Sequence, residues 1–90
     1  MKVLITESLS KEGVEILSGA AEVDTKLNLK PEELIAIAGD YEALVVRSQT
    51  QVSAEVIQAG KKLQVIARAG VGVDNIDVDE ATQHGIVVVN

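Results

Sequence analysis

Two side chains in this sequence are suited to gripping a small anion, and both sit directly after aliphatic runs. Eight cations face fourteen aspartates and glutamates, for a net charge of −6. Six of those cations are lysines scattered over expected surface, so Arg47 and Arg68 are the informative ones. A guanidinium presents a planar fork of donors that fits carboxylate or phosphate with two parallel hydrogen bonds. Arg47 is followed by Ser48-Gln49-Thr50, and Arg68 by Ala69-Gly70-Val71-Gly72. Glycines lack a Cβ and accept positive φ, so the Gly70-Val71-Gly72 stretch could bring backbone N–H groups close to a ligand oxygen. The competing reading is a salt bridge from either arginine to an acid such as Glu7 or Asp74, with the glycines making a tight strand-to-loop turn.

Other chemistry is poorly supplied. Gly70 and Gly72 do not complete a dinucleotide fingerprint, because position 75 is Asn75 and the sequence ends at Asn90 before an acidic residue about 20 positions on could occur. Asp74, Asn75, Asp77, Asp79 and Glu80 lack the glycine and closing glutamate of a calcium loop and read as helix capping. The single His84 lies just before Gly85, where a cation favours the helix dipole, and with no carboxylate expected nearby it reads as a cap residue rather than a general base. There is no cysteine. No metal site and no catalytic residue are expected.

The elements that would position the arginines follow from periodicity. Ser10, Pro31, Ser53 and Asp77 open helical stretches, Asp77 with Glu80 in a capping-box-like spacing. Val14, Ile16 and Leu17, then Leu34, Ile35 and Ile37, then Val56 and Ile57 supply their apolar positions. Gly19, Gly39, Gly60 and Gly85 follow the four helices where a left-handed cap is expected. Between the helices lie short aliphatic runs over residues 2–6, 22–27, 43–47, 63–67 and 86–89. The pattern βαβαβαβαβ predicts one α/β domain over residues 1–90, a flavodoxin-like parallel sheet of five strands in the order 2-1-3-4-5 with four helices and no final fifth helix. Ligands of such sheets bind beyond the carboxyl ends of the strands. Both arginines fall on that edge, on neighbouring strands.

Composition narrows the partners. The acidic balance argues against nucleic acid and against an anionic membrane surface, since both require dense lysine and arginine. The longest apolar runs are a few residues, against roughly 20 for a bilayer crossing, and the opening Met1-Lys2-Val3-Leu4-Ile5 is too short for a signal peptide, so a cytoplasmic location is expected. Aromatic residues make up 1% of the sequence while aliphatics, alanine and their like bring the hydrophobic share to 47%, which suits a buried parallel sheet.

Val45-Val46-Arg47-Ser48, the block Leu63 to Asp77 that contains Arg-Ala-Gly-Val-Gly-Val-Asp-Asn-Ile-Asp, and the flanks Val3 to Glu7 and Gly85 to Asn90 resemble the D-3-phosphoglycerate dehydrogenases of the D-2-hydroxyacid dehydrogenase family. The likeness runs from Lys2 to Asn90. In that family a flavodoxin-like substrate domain is built from the start of the chain plus a segment returning after an inserted Rossmann domain, and this sequence resembles the first portion. The resemblance implies that Arg47 and Ser48 contact the phosphate side of the substrate, and that Arg68 with the backbone of Ala69, Gly70, Val71 and Gly72 holds the carboxylate. It implies a small phosphorylated hydroxy acid as ligand, bound weakly. NAD belongs to the family's cofactor domain, as do its catalytic His, Glu and Arg, so no cofactor and no activity are expected for these residues alone.

Two other function classes compete. A signalling receiver shares the topology but needs an acidic pair after strand one and an aspartate at the end of strand three, where Thr6-Glu7 and Arg47 stand. A stand-alone oligomerisation module would leave both arginines paired with acids. Self-association is expected in any case, as a homo-oligomer through the sheet face that a fifth helix would cover. Four or five aliphatic side chains losing burial at about 1.5–3 kcal/mol each amount to a large part of the roughly 5–15 kcal/mol stability of a small domain.

Overall fold

The computed structural model describes residues 1–90, the side chain of Ala20 excepted. Five strands, β1 (Lys2–Ile5), β2 (Glu22–Thr25), β3 (Ala43–Val46), β4 (Val65–Arg68) and β5 (Val87–Val89), alternate with four helices, α1 (Lys11–Ala20), α2 (Pro31–Ile37), α3 (Ala54–Ala59) and α4 (Val78–Gln83). The sheet is wholly parallel, in the order β2-β1-β3-β4-β5. This is the expected order, with each strand within a residue or two of its aliphatic run.

Side chains alternate across a strand, and both sets are covered here. Leu4, Leu44, Val46 and Ile66 share one face with Leu34, Val56, Ile57 and Ala81 from α2, α3 and α4. Val3, Ile5 and Ala43 point the other way and meet Leu9, Val14, Leu17 and Ala21 from α1 and its flanks. The second face is thinly covered toward β5. Val87 and Val89 lie in register with Val65 and Ala67 and are 59% and 45% exposed.

Two expectations about the helices need correction. Helical spacing groups Ile16 with Val14 and Leu17, yet Ile16 is 75% exposed, because Val14 and Leu17 already fill the strip over the sheet. The four glycines do not all serve as left-handed caps. Gly19 lies inside α1, and Gly39 belongs to a 3₁₀ turn, Ala38–Asp40, that tightens the end of α2. Gly60 caps α3 with φ −81°. Only Gly85 takes the left-handed conformation, at φ +72°. Helix starts follow the reading more closely: the side chains of Ser10, Ser53 and Asp77 accept hydrogen bonds from the backbone N–H of Gly13, Val56 and Glu80.

Two glycines should therefore respond oppositely to alanine. At Gly19 an added Cβ meets nothing within 4 Å, and alanine should stabilise α1 by about 0.5–1 kcal/mol. At Gly60 the Cβ would lie 2.3 Å from Leu63 Cδ1 and 2.8 Å from its Cγ, so alanine should destabilise by about 1–3 kcal/mol through overpacking. Urea midpoints of the two variants should move in opposite directions.

Candidate functional site

The carboxyl ends of β1, β3 and β4 meet at one edge of the sheet, and the loops leaving them carry every residue singled out for binding. β3 ends at Val46, so the next residue, Arg47, begins a turn whose backbone N–H groups have no strand partner. Glu7, in the loop after β1, supplies one. Its carboxylate accepts from the N–H of Arg47 at 2.5 Å, of Gln49 at 3.0 Å and of Thr50 at 3.1 Å. Burial pushes the Glu7 pKa up, but these hydrogen bonds outweigh it and hold the carboxyl below its ordinary 4.5. The buried Thr6 hydroxyl meets the Thr50 hydroxyl at 2.8 Å, which ties the same two loops again.

Asn75 holds the other side of the turn. Its Nδ2 donates to the carbonyl oxygens of Arg47 at 2.6 Å and Thr50 at 2.7 Å. Its backbone carbonyl accepts from Val52 N–H, and Asp77 N–H donates back to Val52 O, so a one-residue parallel bridge joins Val52 to Ile76, while the buried Asn75 Oδ1 has no protein partner among the described residues. Asn75 is thus a buried loop anchor and corrects the expectation that it belongs with the helix caps. Asp77 does cap α4.

Arg68 ends β4, opposite Val46 in register, and so stands next to the Arg47 turn in main chain. Its side chain folds back over its own loop: Nη1 donates to Val71 O and, at 3.0 Å, to Gly72 O. Gly70 and Gly72 have φ of +141° and +86°, which lets the loop curl around the guanidinium. Arg68 Nε is buried without a protein partner. Among the described residues the N–H groups of Gly70, Val71 and Gly72 meet no protein acceptor, and Val71 is 95% exposed. Arg47 is exposed and leans toward the first loop, with a long contact from Nη1 to Ser8 O at 3.5 Å. The two main chains are adjacent while the two guanidinium groups serve different loops.

Neither arginine forms a salt bridge among the described residues. Glu7 is where a salt-bridge partner for Arg47 was considered, but it binds the arginine's backbone rather than its guanidinium. Between the β1, β2 and β3 loops lies a recess of about 570 Å³. Arg47 to Gln51 and Thr6 to Ser8 form its polar wall, and Leu27, Leu29 and Leu34 form an apolar one. Glu7 and Arg47 are the charged residues lining it.

Sequence reasoning placed Arg47, Ser48, Arg68, Ala69, Gly70, Val71 and Gly72 on this edge, and that is where they lie. It missed the roles of Glu7 and Asn75, for which only their positions just past a strand and beside a glycine loop gave a signal. It also missed the partner of His84, whose Nε2 is 2.8 Å from Glu80 Oε2. Glu80 and His84 stand four apart on α4, so the pair was available from helical spacing. Hydrogen bonds from Gln58 and His84 hold the half-buried Glu80 carboxyl below its ordinary value. A dinucleotide does not fit the glycine loop: α4 starts only at Val78, and Arg68 occupies the inside of the turn, so no helix N-terminus follows the glycines closely enough to cradle a pyrophosphate. Among the described residues no helix is long and apolar enough to cross a membrane.

Residues 3–90 match the family model described as D-isomer specific 2-hydroxyacid dehydrogenase, catalytic domain. The D-3-phosphoglycerate dehydrogenase of Archaeoglobus fulgidus is 57% identical over the whole chain, and the human enzyme of the same name 53% over 99% of it. The chain spans 17% of the length of each. A solved protein of Pyrococcus horikoshii superposes with a TM-score of 0.94 at 34% identity, covering 97% of this chain and 26% of its own. The NAD+-bound 3-phosphoglycerate dehydrogenase of Entamoeba histolytica gives 0.88 at 34% identity, over 98% of this chain and 32% of its own. With its five-stranded sheet, its Arg47 and Arg68 loops and a family match over nearly its full length, the chain belongs to the D-isomer specific 2-hydroxyacid dehydrogenases.

Proposed function

We propose that this chain is the first portion of the substrate domain of an NAD-dependent D-3-phosphoglycerate dehydrogenase and that it holds substrate without transferring hydride. One observation supports this above the others. On a single sheet edge, an exposed guanidinium and a free serine hydroxyl line a recess that carries one positive and one negative side chain, and a run of unpartnered N–H groups lies on the neighbouring loop after β4. Arg47 and Ser48 take the phosphate, and Arg68 with the backbone of Gly70 to Gly72 takes the carboxylate, while Ala69 N–H is committed to Val46 O. NAD and the oxidation that feeds L-serine synthesis belong to the longer parent enzyme. The runner-up, a stand-alone oligomerisation module, draws on the exposed Val87 and Val89 at the sheet edge, which also support a homo-oligomer of the substrate-holding chain.

The two readings separate by measurement. Because each charged hydrogen bond contributes about 1.5–3 kcal/mol before association costs, 3-phosphoglycerate should bind with a Kd of about 1 mM or weaker, with NMR shifts confined to residues 47–50 and 68–72. Micromolar affinity, or shifts elsewhere, would count against the assignment. Arg47→Ala should abolish binding with stability unchanged, since Arg47 is exposed. Arg68→Ala should weaken binding and also cost about 1–2 kcal/mol, because the Val71 and Gly72 carbonyls lose their donor. For self-association, light scattering across a wide concentration range should show a dimer or larger species that Val87→Asp dissociates. A folded monomer at every concentration would exclude it.

A further inference from the structure

The Arg47 turn has the form of an anion nest, three converging N–H groups within four residues, and the anion that fills it is part of the chain. We propose that Glu7 is a positioning residue, an internal anion that fixes the Arg47–Thr50 turn in the form in which Arg47 and Ser48 can meet a ligand. The proposal rests on the substrate-holding role given above. Geometry carries it: one carboxylate accepts from Arg47, Gln49 and Thr50 and leaves Ser48 N–H out of the set, free for something else. Asn75 closes the turn from behind by donating to the carbonyls of Arg47 and Thr50, so N–H side and C=O side are held by two different loops. The hold is on the turn and not on the guanidinium. Glu7 does not neutralise the Arg47 guanidinium, which stays exposed, and no other charged residue lines the recess.

Charge alone and positioning make opposite forecasts. If Glu7 were merely a negative charge near an anion site, removing that charge would tighten anion binding. If it positions the turn, Glu7→Gln should weaken binding, because an amide brings its own N–H₂ against the nest and the three N–H groups lose their common acceptor. The low pKa that these hydrogen bonds impose gives a second handle. A carboxyl with a depressed folded pKa contributes order that is present above its unfolded value of about 4.5 and is lost as pH falls through the folded value.

Both forecasts can be read on the 90-residue chain by ¹H–¹⁵N spectra. Lowering the pH should move the N–H signals of Arg47, Gln49 and Thr50 together, with one shared midpoint below 4.5, and Glu7→Gln should erase that transition while leaving core signals in place. Titrated with inorganic phosphate at neutral pH, Glu7→Gln should bind about tenfold more weakly than the unaltered chain, and Glu7→Asp should recover part of the loss. Separate midpoints for the three signals, or phosphate binding in Glu7→Gln that is equal or tighter, would overturn the proposal. If the unaltered chain binds no phosphate, the substrate-holding role fails, and the shared titration alone then decides whether Glu7 holds the turn.

Discussion

A parallel sheet must be covered on both faces, and that requirement organises this molecule. Consecutive parallel strands need a crossover, the crossovers here are helices, and helices laid on a sheet demand apolar residues beneath them. In β1 the consecutive residues Val3, Leu4 and Ile5 point alternately to opposite faces and are all buried. In β3 Leu44 and Val46 turn toward α2, α3 and α4, while Ala43 turns toward α1. With both faces used for burial, polar groups that must remain available have one place left, the ends of the strands. The candidate site residues therefore collect on an edge for reasons of packing before any question of ligand arises.

Polar edges create a second problem, since each loop leaving a strand carries N–H and C=O groups that the ladder no longer pairs. The two arginine loops solve it differently. The turn after β3 borrows its partners: a carboxylate from the β1 loop for its N–H groups and an amide from the β4–α4 loop for its carbonyls. The loop after β4 uses its own strand's arginine, which satisfies two carbonyls and leaves the N–H groups of Gly70 to Gly72 without protein acceptors among the described residues. One loop is held from outside with three of its four N–H groups consumed, and the other is held from inside with the N–H groups of Gly70 to Gly72 unpartnered.

Much of the fold could be read from the sequence because its signals were local and redundant. The strands show as aliphatic runs, the helix starts as Ser10, Ser53 and Asp77, and the parallel order as strict alternation. The glycine rule was less dependable. Gly19 and Gly85 look alike in sequence, yet one lies within a helix and the other has positive φ, a difference set by how each chain continues into the next strand. The edge position of the arginines was equally legible, because it depends only on where strands end. What could not be read was partner choice across loops. Glu7 and Asn75 sit 40 and 28 residues from Arg47, and nothing in spacing says that a carboxylate will choose backbone N–H groups over a guanidinium. His84 is the opposite case, a four-residue spacing to Glu80 that was readable and passed over.

The charge balance of the edge then follows from hydrogen bonding rather than from counting acids and bases. A carboxylate beside an anion site would ordinarily repel the ligand, and the chain as a whole carries −6. Sharing the Glu7 charge among three N–H dipoles spreads it over the turn. Arg47 is left with its guanidinium uncommitted and its backbone fixed, and the recess between Glu7 and Arg47 has no net charge. On the proposed reading, an anion in the recess meets the exposed fork of Arg47 and Ser48, while the open N–H groups after Arg68 lie on the neighbouring loop. Long-range attraction is not available to an acidic domain, so the proposed recognition of an anion rests on short-range geometry, and geometry of that kind depends on a turn that cannot relax.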